Sequence, residues 1–175
     1  IKGSITYAKP NFNYTDNTLF TSIKSTTQDN LSSSGYKITT AGFSIGTKFE
    51  QYENLFFSPE IDFTQEDLTT NSSASSSFKK QEGSYSDFYF NYGLIYDTRD
   101  NAFNPNKGNV FIFNQELPLL SEDNEIKNTI RVTNYKSLNE SKDMIGKASF
   151  YFSAVNSIDG SDVRISKRTG IPYNR

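Results

Sequence analysis

The sequence contains no cysteine, no histidine and no tryptophan, and one methionine among its 175 residues. The lack of cysteine excludes disulfide frameworks, thiol catalysis and thiolate metal sites, although it names no compartment. The lack of histidine removes the commonest metal ligand and the commonest general base. No apolar run approaches the roughly 18 residues that a membrane-spanning helix needs, and because Ile1 leads straight into a strand-like segment no signal peptide is expected within the sequence. With no initiator methionine and an abrupt end at Arg175, the expectation is a piece of a longer protein. An excess of positive charge is absent as well. The 18 Lys and Arg are outnumbered by 20 Asp and Glu, giving a formal charge of -2 and a pI near 5.2. Such a chain has no basic field with which to recruit nucleic acid.

What is present points to strands. Apolar types reach only 34% and mean hydropathy is -0.63, while Asn, Ser and Thr supply 57 residues. That composition resembles a disordered chain until the 15 Phe and 11 Tyr are set against 9 Leu. Disordered chains are poor in aromatics, and Phe, Tyr and Thr favour strands.

Period-two alternation recurs about eight times along the chain. Apolar Leu55, Phe57, Pro59, Ile61 and Phe63 alternate with Ser58, Glu60, Asp62 and Thr64. Phe88, Phe90, Tyr92, Leu94 and Tyr96 alternate with Asp87, Tyr89, Asn91 and Gly93. The same pattern runs through segments near 1–7, 19–26, 43–49, 111–117, 126–133 and 144–153. One face of each predicted strand is apolar and uncharged, and the other carries the charges. Exceptions are few: Ile95, Ile112 and Val155 fall on the polar face, and Asn128 on the apolar one. A slip of phase between Ile38 and Phe43 predicts a bulge near Gly42.

Connections alternate in length as well. Ser-, Asn- and Gly-rich segments at 28–35, 69–84 and 157–163 interleave with tighter turns near 14–18, 51–54, 101–108 and 139–142; the short link at 121–125 is a partial misfit. Strands of roughly 10 residues, with short turns on one rim and longer loops on the other, match a transmembrane β-barrel. A soluble β-sandwich gives the same alternation, but its strands are usually about 5–6 residues and its loops are not sorted by side.

Candidate chemistry is sparse. Gly42-Phe43-Ser44-Ile45-Gly46 has the form of a nucleophile elbow, yet that motif needs a strand-to-helix turn and a histidine base. Asp97, Asp100 and Asn101 suit turn chemistry better than a metal site. Glu60, Asp62 and Glu66 share one strand face, and Lys127, Arg131 and Lys147 the corresponding face elsewhere, which reads as a solvated barrel interior with cross-wall charge pairs. Asn13, Asn30, Asn71 and Asn139 match the glycosylation pattern at the rate expected by chance in so Ser- and Thr-rich a chain. No enzyme activity and no cofactor are expected.

The stretch Asn91 to Gly108, with Tyr96, Asp97, Arg99, Asp100, Phe103, Pro105 and Gly108, resembles the strand–turn motif of the BamA family, the bacterial surface-antigen barrels. Thr6-Tyr7-Ala8-Lys9-Pro10-Asn11-Phe12, followed by Thr18-Leu19-Phe20, is similar to an early periplasmic turn of that family. Residues 164–175, with Arg164, Lys167, Arg168 and Pro172, resemble the approach to its inward-folded extracellular loop. The resemblance implies an all-β antiparallel meander of about eight long strands, an open excerpt of a transmembrane outer-membrane β-barrel. Residues 1–175 would form a partial barrel domain, with periplasmic repeats and the first and last strands lying outside it. It implies further that the whole protein folds and inserts β-barrel proteins in the outer membrane of a Gram-negative bacterium. Its partners would be lipid and lipopolysaccharide, unfolded outer-membrane proteins and accessory lipoproteins. The alternatives are a two-partner secretion or porin-like transport barrel and a soluble binding module. The family position also leads to the expectation that Arg164, Lys167, Arg168 and Arg175 dock on Glu60, Asp62 and Glu66, the alternative being a solvated loop.

Overall fold

The computed structural model describes residues 1–122 and 124–168. Eight strands follow one another: β1 (Lys2–Lys9), β2 (Thr18–Asn30), β3 (Tyr36–Tyr52), β4 (Leu55–Thr70), β5 (Gly83–Asp97), β6 (Gly108–Leu120), β7 (Glu125–Ser137) and β8 (Ile145–Ser157). Each pairs antiparallel with its predecessor in one sheet, in chain order, and the sheet does not close. β1 and β8 are its two edges. A short helix, α1 (Ser76–Lys80), lies in the β4–β5 loop, and single helical turns occupy Phe12–Tyr14 and Ile165–Lys167.

Register fixes the faces. Ile45, Ile61 and Phe90 stand in one cross-strand row, and Phe113, Ile130 and Phe152 in another on the same face. One residue along, Ser44, Asp62 and Tyr89 form a row on the opposite face. The apolar face is the exposed one: Ile23 is 62% exposed, Phe43 47% and Phe150 60%. Burial is inverted relative to a water-soluble domain. Among the described residues the buried apolar side chains are Ile38, Leu68, Ala74 and Tyr89, whereas Asp62, Glu66, Asp87, Glu125 and Arg164 are among the buried polar ones. A sheet that buries charges and exposes phenylalanines is suited to an apolar surround and a wet interior.

Three details differ from the sequence expectation. From β2 to β8 the strands run 13 to 17 residues, longer than predicted. The extra length is polar hairpin: Asp29 pairs with Lys37 and Asn30 with Tyr36 beyond the apolar belt. There the outward face does carry charge, at Asp29, Lys37 and Asp67. No bulge lies near Gly42, since Ala41, Gly42 and Phe43 pair in unbroken register with Gln65, Thr64 and Phe63; the irregularity falls at Glu50–Tyr52. Ile38 is simply an apolar residue on the charged face, buried at the loop end of the sheet near Leu68.

The other exceptions also find partners. Ile95 pairs directly with Ile112 on the charged face. On the apolar face the Tyr92 hydroxyl donates to Gln115 Oε1 at 2.8 Å, and Gln115 Nε2 donates to Asn128 Oδ1 at 2.6 Å. Hydrogen bonding between these side chains lowers the cost of holding them in an apolar setting.

Candidate functional site

The chain after β8 turns back onto the charged face. Asp159 shapes this return, accepting hydrogen bonds from Ser157 Oγ at 2.8 Å and the Ser161 N–H at 2.9 Å. Arg164 is then only 1% exposed. Its guanidinium donates to Asp87 Oδ2 at 3.0 Å and lies 3.6 Å from Glu66 Oε1. It also stacks on the Tyr85 ring, 3.8 Å from the centroid. The Arg164 N–H donates to Glu125, and Ser121 donates to Asp87.

Neighbouring residues extend the contact. Lys167 Nζ sits 3.4 Å from Asp87 and 4.9 Å from the centre of the Tyr89 ring. Ser166 donates to Glu66, and the Ile165 N–H donates to Gln81 Oε1 at 2.9 Å. Three strands therefore hold one segment: β4 through Glu66, β5 through Tyr85, Asp87 and Tyr89, and β7 through Glu125. Buried carboxylates demand compensating charge and hydrogen bonds, and the basic segment supplies both. A polar cavity of about 480 Å³ remains between the wall and the segment, bordered by Lys24, Asp62, Glu116, Lys127 and Arg168.

Of the residues singled out from sequence, Arg164 and Glu66 meet here. Glu60 and Asp62 do not take part: Asp62 is paired with Lys24, which reaches it from β2, and Glu60 forms no ion pair among the described residues. Arg168 points back along its own segment, donating to the Val163 carbonyl at 3.1 Å. Lys127 pairs with Glu116 at 2.8 Å, Arg131 lies over Tyr151, and Lys147 over Tyr135. Pro172 and Arg175 lie outside the described residues. Asp87, Glu125, Tyr85 and Gln81 were missed. Strand parity places Asp87 on the same face as Glu66, but nothing local to the sequence marks which two residues meet.

The strand–turn motif lies apart from this cluster, and the Asp97 N–H ties it to the Asn54 carbonyl of the neighbouring β3–β4 turn at 3.0 Å. Arg99 holds the Asp97 carboxylate through Nε at 2.9 Å and a terminal nitrogen at 2.6 Å, and donates to the Ala102 carbonyl at 2.8 Å. Gly108 closes the turn at φ 113°, where an added Cβ would lie 2.4 Å from the Thr98 carbonyl oxygen. Tyr96 ends the apolar strip of β5. Ser44 lies inside β3, so the elbow-like sequence around it is continuous strand.

An open antiparallel meander, apolar outside and charged within, with a segment folded onto its charged face, is a stretch of β-barrel wall. The profile of the Omp85 superfamily domain matches residues 2–168, and the chain belongs to that superfamily. Its fold is similar to the crystal structure of BamA from Haemophilus ducreyi lacking POTRA domains 1-3, with a TM-score of 0.80 and 20% identity. The match covers 94% of this chain and 34% of that one, so the chain spans about a third of the solved protein's length. No curated protein matches the sequence.

Proposed function

We propose that this chain is part of the barrel wall of an outer-membrane assembly factor, which folds and inserts other β-barrel proteins without bond chemistry. The observation that carries the reading is the combination of an Omp85-type wall, alike in fold to BamA over 94% of the chain, with a basic segment held on its charged face. The apolar face would meet outer-membrane lipid, and the loop rim lipopolysaccharide. Unfolded outer-membrane proteins would be the clients. Accessory lipoproteins would bind periplasmic repeats outside residues 1–175. In this reading the segment at 164–168 is the root of a loop that projects into the barrel, and the wall at β4, β5 and β7 is its anchor.

Depletion of the whole protein in its native host tests this. The expected result is a broad loss of folded outer-membrane barrels, seen as loss of their heat-modifiable forms on gels. Loss of export of one secreted protein, with the barrels intact, would instead assign a transport barrel.

A further inference from the structure

The charged face keeps one small apolar core, and that core lies at the loop rim. Ile38 and Leu68 are direct cross-strand partners there, 9% and 1% exposed, and Ala74 of the β4–β5 loop is 7% exposed. Phe78 of α1 stacks on Tyr36, two residues from Ile38 on the same face, with centroids 4.0 Å apart and planes within 10°. Hydrogen bonds to the β2–β3 loop fix the same seat. The Asn71 N–H donates to the Gly35 carbonyl at 2.8 Å, and Asn71 Nδ2 donates to the Leu31 carbonyl at 2.9 Å. Gly35, at φ 76°, leaves no room for a Cβ beside the Ala74 nitrogen, so the two loops meet backbone to backbone.

Burying apolar surface here stabilises one position of the β4–β5 loop, and that position places Gln81. The Gln81 N–H closes α1 on the Phe78 carbonyl at 3.1 Å, and the Gln81 carbonyl accepts from the Tyr85 hydroxyl at 2.7 Å. Gln81 Oε1 then takes the Ile165 N–H at 2.9 Å. Ile165 follows the buried Arg164, whose guanidinium lies on the same Tyr85 ring. The inward segment is therefore held from two sides, by the carboxylates of the wall and by the amide of the loop.

We propose that the β4–β5 loop is a clasp on the inward segment: the seating of Phe78 and Ala74 sets, through Gln81, how firmly residues 163–168 stay on the wall. The wall half of the hold is buried charge, which is expensive to separate. The loop half hangs on a five-residue helix with no side-chain cap, flanked by exposed serines and lysines. Such a region belongs to the low-stability end of a structure and opens first. The segment leaves the wall in that order, clasp before charge cluster. The device follows from these contacts, and it holds whether the barrel assembles other proteins or transports them.

Amide exchange on the full-length protein in lipid vesicles tests it, with the folding of each variant checked by heat-modifiable migration on gels. Phe78→Ala and Gln81→Leu should each raise exchange at residues 163–167 several-fold. The double variant should barely exceed the larger single effect, because both act through one link. Gln81→Glu keeps an acceptor oxygen and should leave exchange there close to that of the unaltered protein. Where Phe78→Ala does not fold, Phe78→Leu removes the ring stack and carries the same comparison. Loosening confined to residues 71–82 in the Phe78 variant overturns the proposal, because the loop then only rests beside the segment. Additive effects of the two substitutions overturn it as well, since they mean separate routes. So does equal loss of protection in Gln81→Glu and Gln81→Leu, which removes the hydrogen bond to Ile165 as the link.

Discussion

Arg164 brings its charge into a place where water cannot compensate for a missing partner. Asp87 is fully buried and Glu66 is 3% exposed. Removing one member of such a buried cluster leaves the others uncompensated, typically at a cost of about 3–5 kcal/mol. For Arg164→Met the expected loss lies toward the lower end of that range, because Lys167 stays 3.4 Å from Asp87. Adding Asp87→Asn should restore part of it. Urea unfolding of the full-length protein in lipid measures both, and strictly additive losses would show that the two side chains are not coupled. Asp159 acts one step earlier, shaping the return that leads to Arg164. Hydrogen bonds from the hydroxyl and N–H of Ser161, then from Ser157, hold its carboxyl well below the usual carboxylate range. Its contribution to loop order is therefore complete above the ordinary value of 3.8 and is lost as pH falls through the depressed folded value. Amide exchange in residues 158–163 should lose protection on the acid side, and Asp159→Asn should flatten that limb. An unchanged acid limb in the variant would remove Asp159 from the mechanism.

Strands were the most legible elements, because a half-buried sheet writes its two faces into alternate residues. Along β5 the alternation puts Phe90 on the apolar face and Asn91 on the charged one, and the pairing with β4 and β6 agrees. An Arg at Ile61, Phe90 or Ile130 should cost roughly 2–4 kcal/mol near the bilayer midplane. The same residue at inward-facing Asn91 or Thr129 should cost far less. Cysteine labelling by a water-soluble reagent along 88–96 should alternate residue by residue, and uniform labelling would contradict the two-faced strand. Less legible was whatever depends on contacts distant in sequence. The loop ends of β2 to β4 are polar apart from Tyr36, Ile38 and Leu68, so no apolar period marks them, yet hairpin pairing extends them. Helix α1 lies in a serine-rich run whose only large apolar residue is Phe78, and stacking on Tyr36 rather than an amphipathic pattern accompanies it. At the site, Arg164 and Glu66 could be named from sequence. The choice of Asp87 and Glu125 over Glu60 and Asp62 could not, because Lys24 takes Asp62 from a strand further along the wall.

As a whole, the molecule is a wall with two open ends. β1 presents one unpaired edge over Lys2–Lys9 and β8 another over Ile145–Ser157, and neither is paired with the other. Each edge carries free N–H and C=O groups on its outer side, a template for any strand that approaches. Around these edges the apolar face is bare, with Ile5 77% exposed beside β2 and Phe152 48% exposed on β8. Removed from its neighbours and from lipid, such a sheet has two ways to lower its free energy: to stack through the apolar face and to extend through the edges. Residues 1–175 produced alone should therefore assemble into large species that bind thioflavin, even in detergent that solubilises the full-length protein. Detergent should shield the apolar face, so growth that persists in it isolates the edges as the cause. Substituting Pro for Thr6 on β1 and for Ser149 on β8 should slow that growth if exposed backbone is responsible, since proline removes a ladder donor. A monomeric, heat-resistant species from residues 1–175 in detergent would show instead that the two edges can satisfy each other, and that eight strands suffice to make a closed barrel.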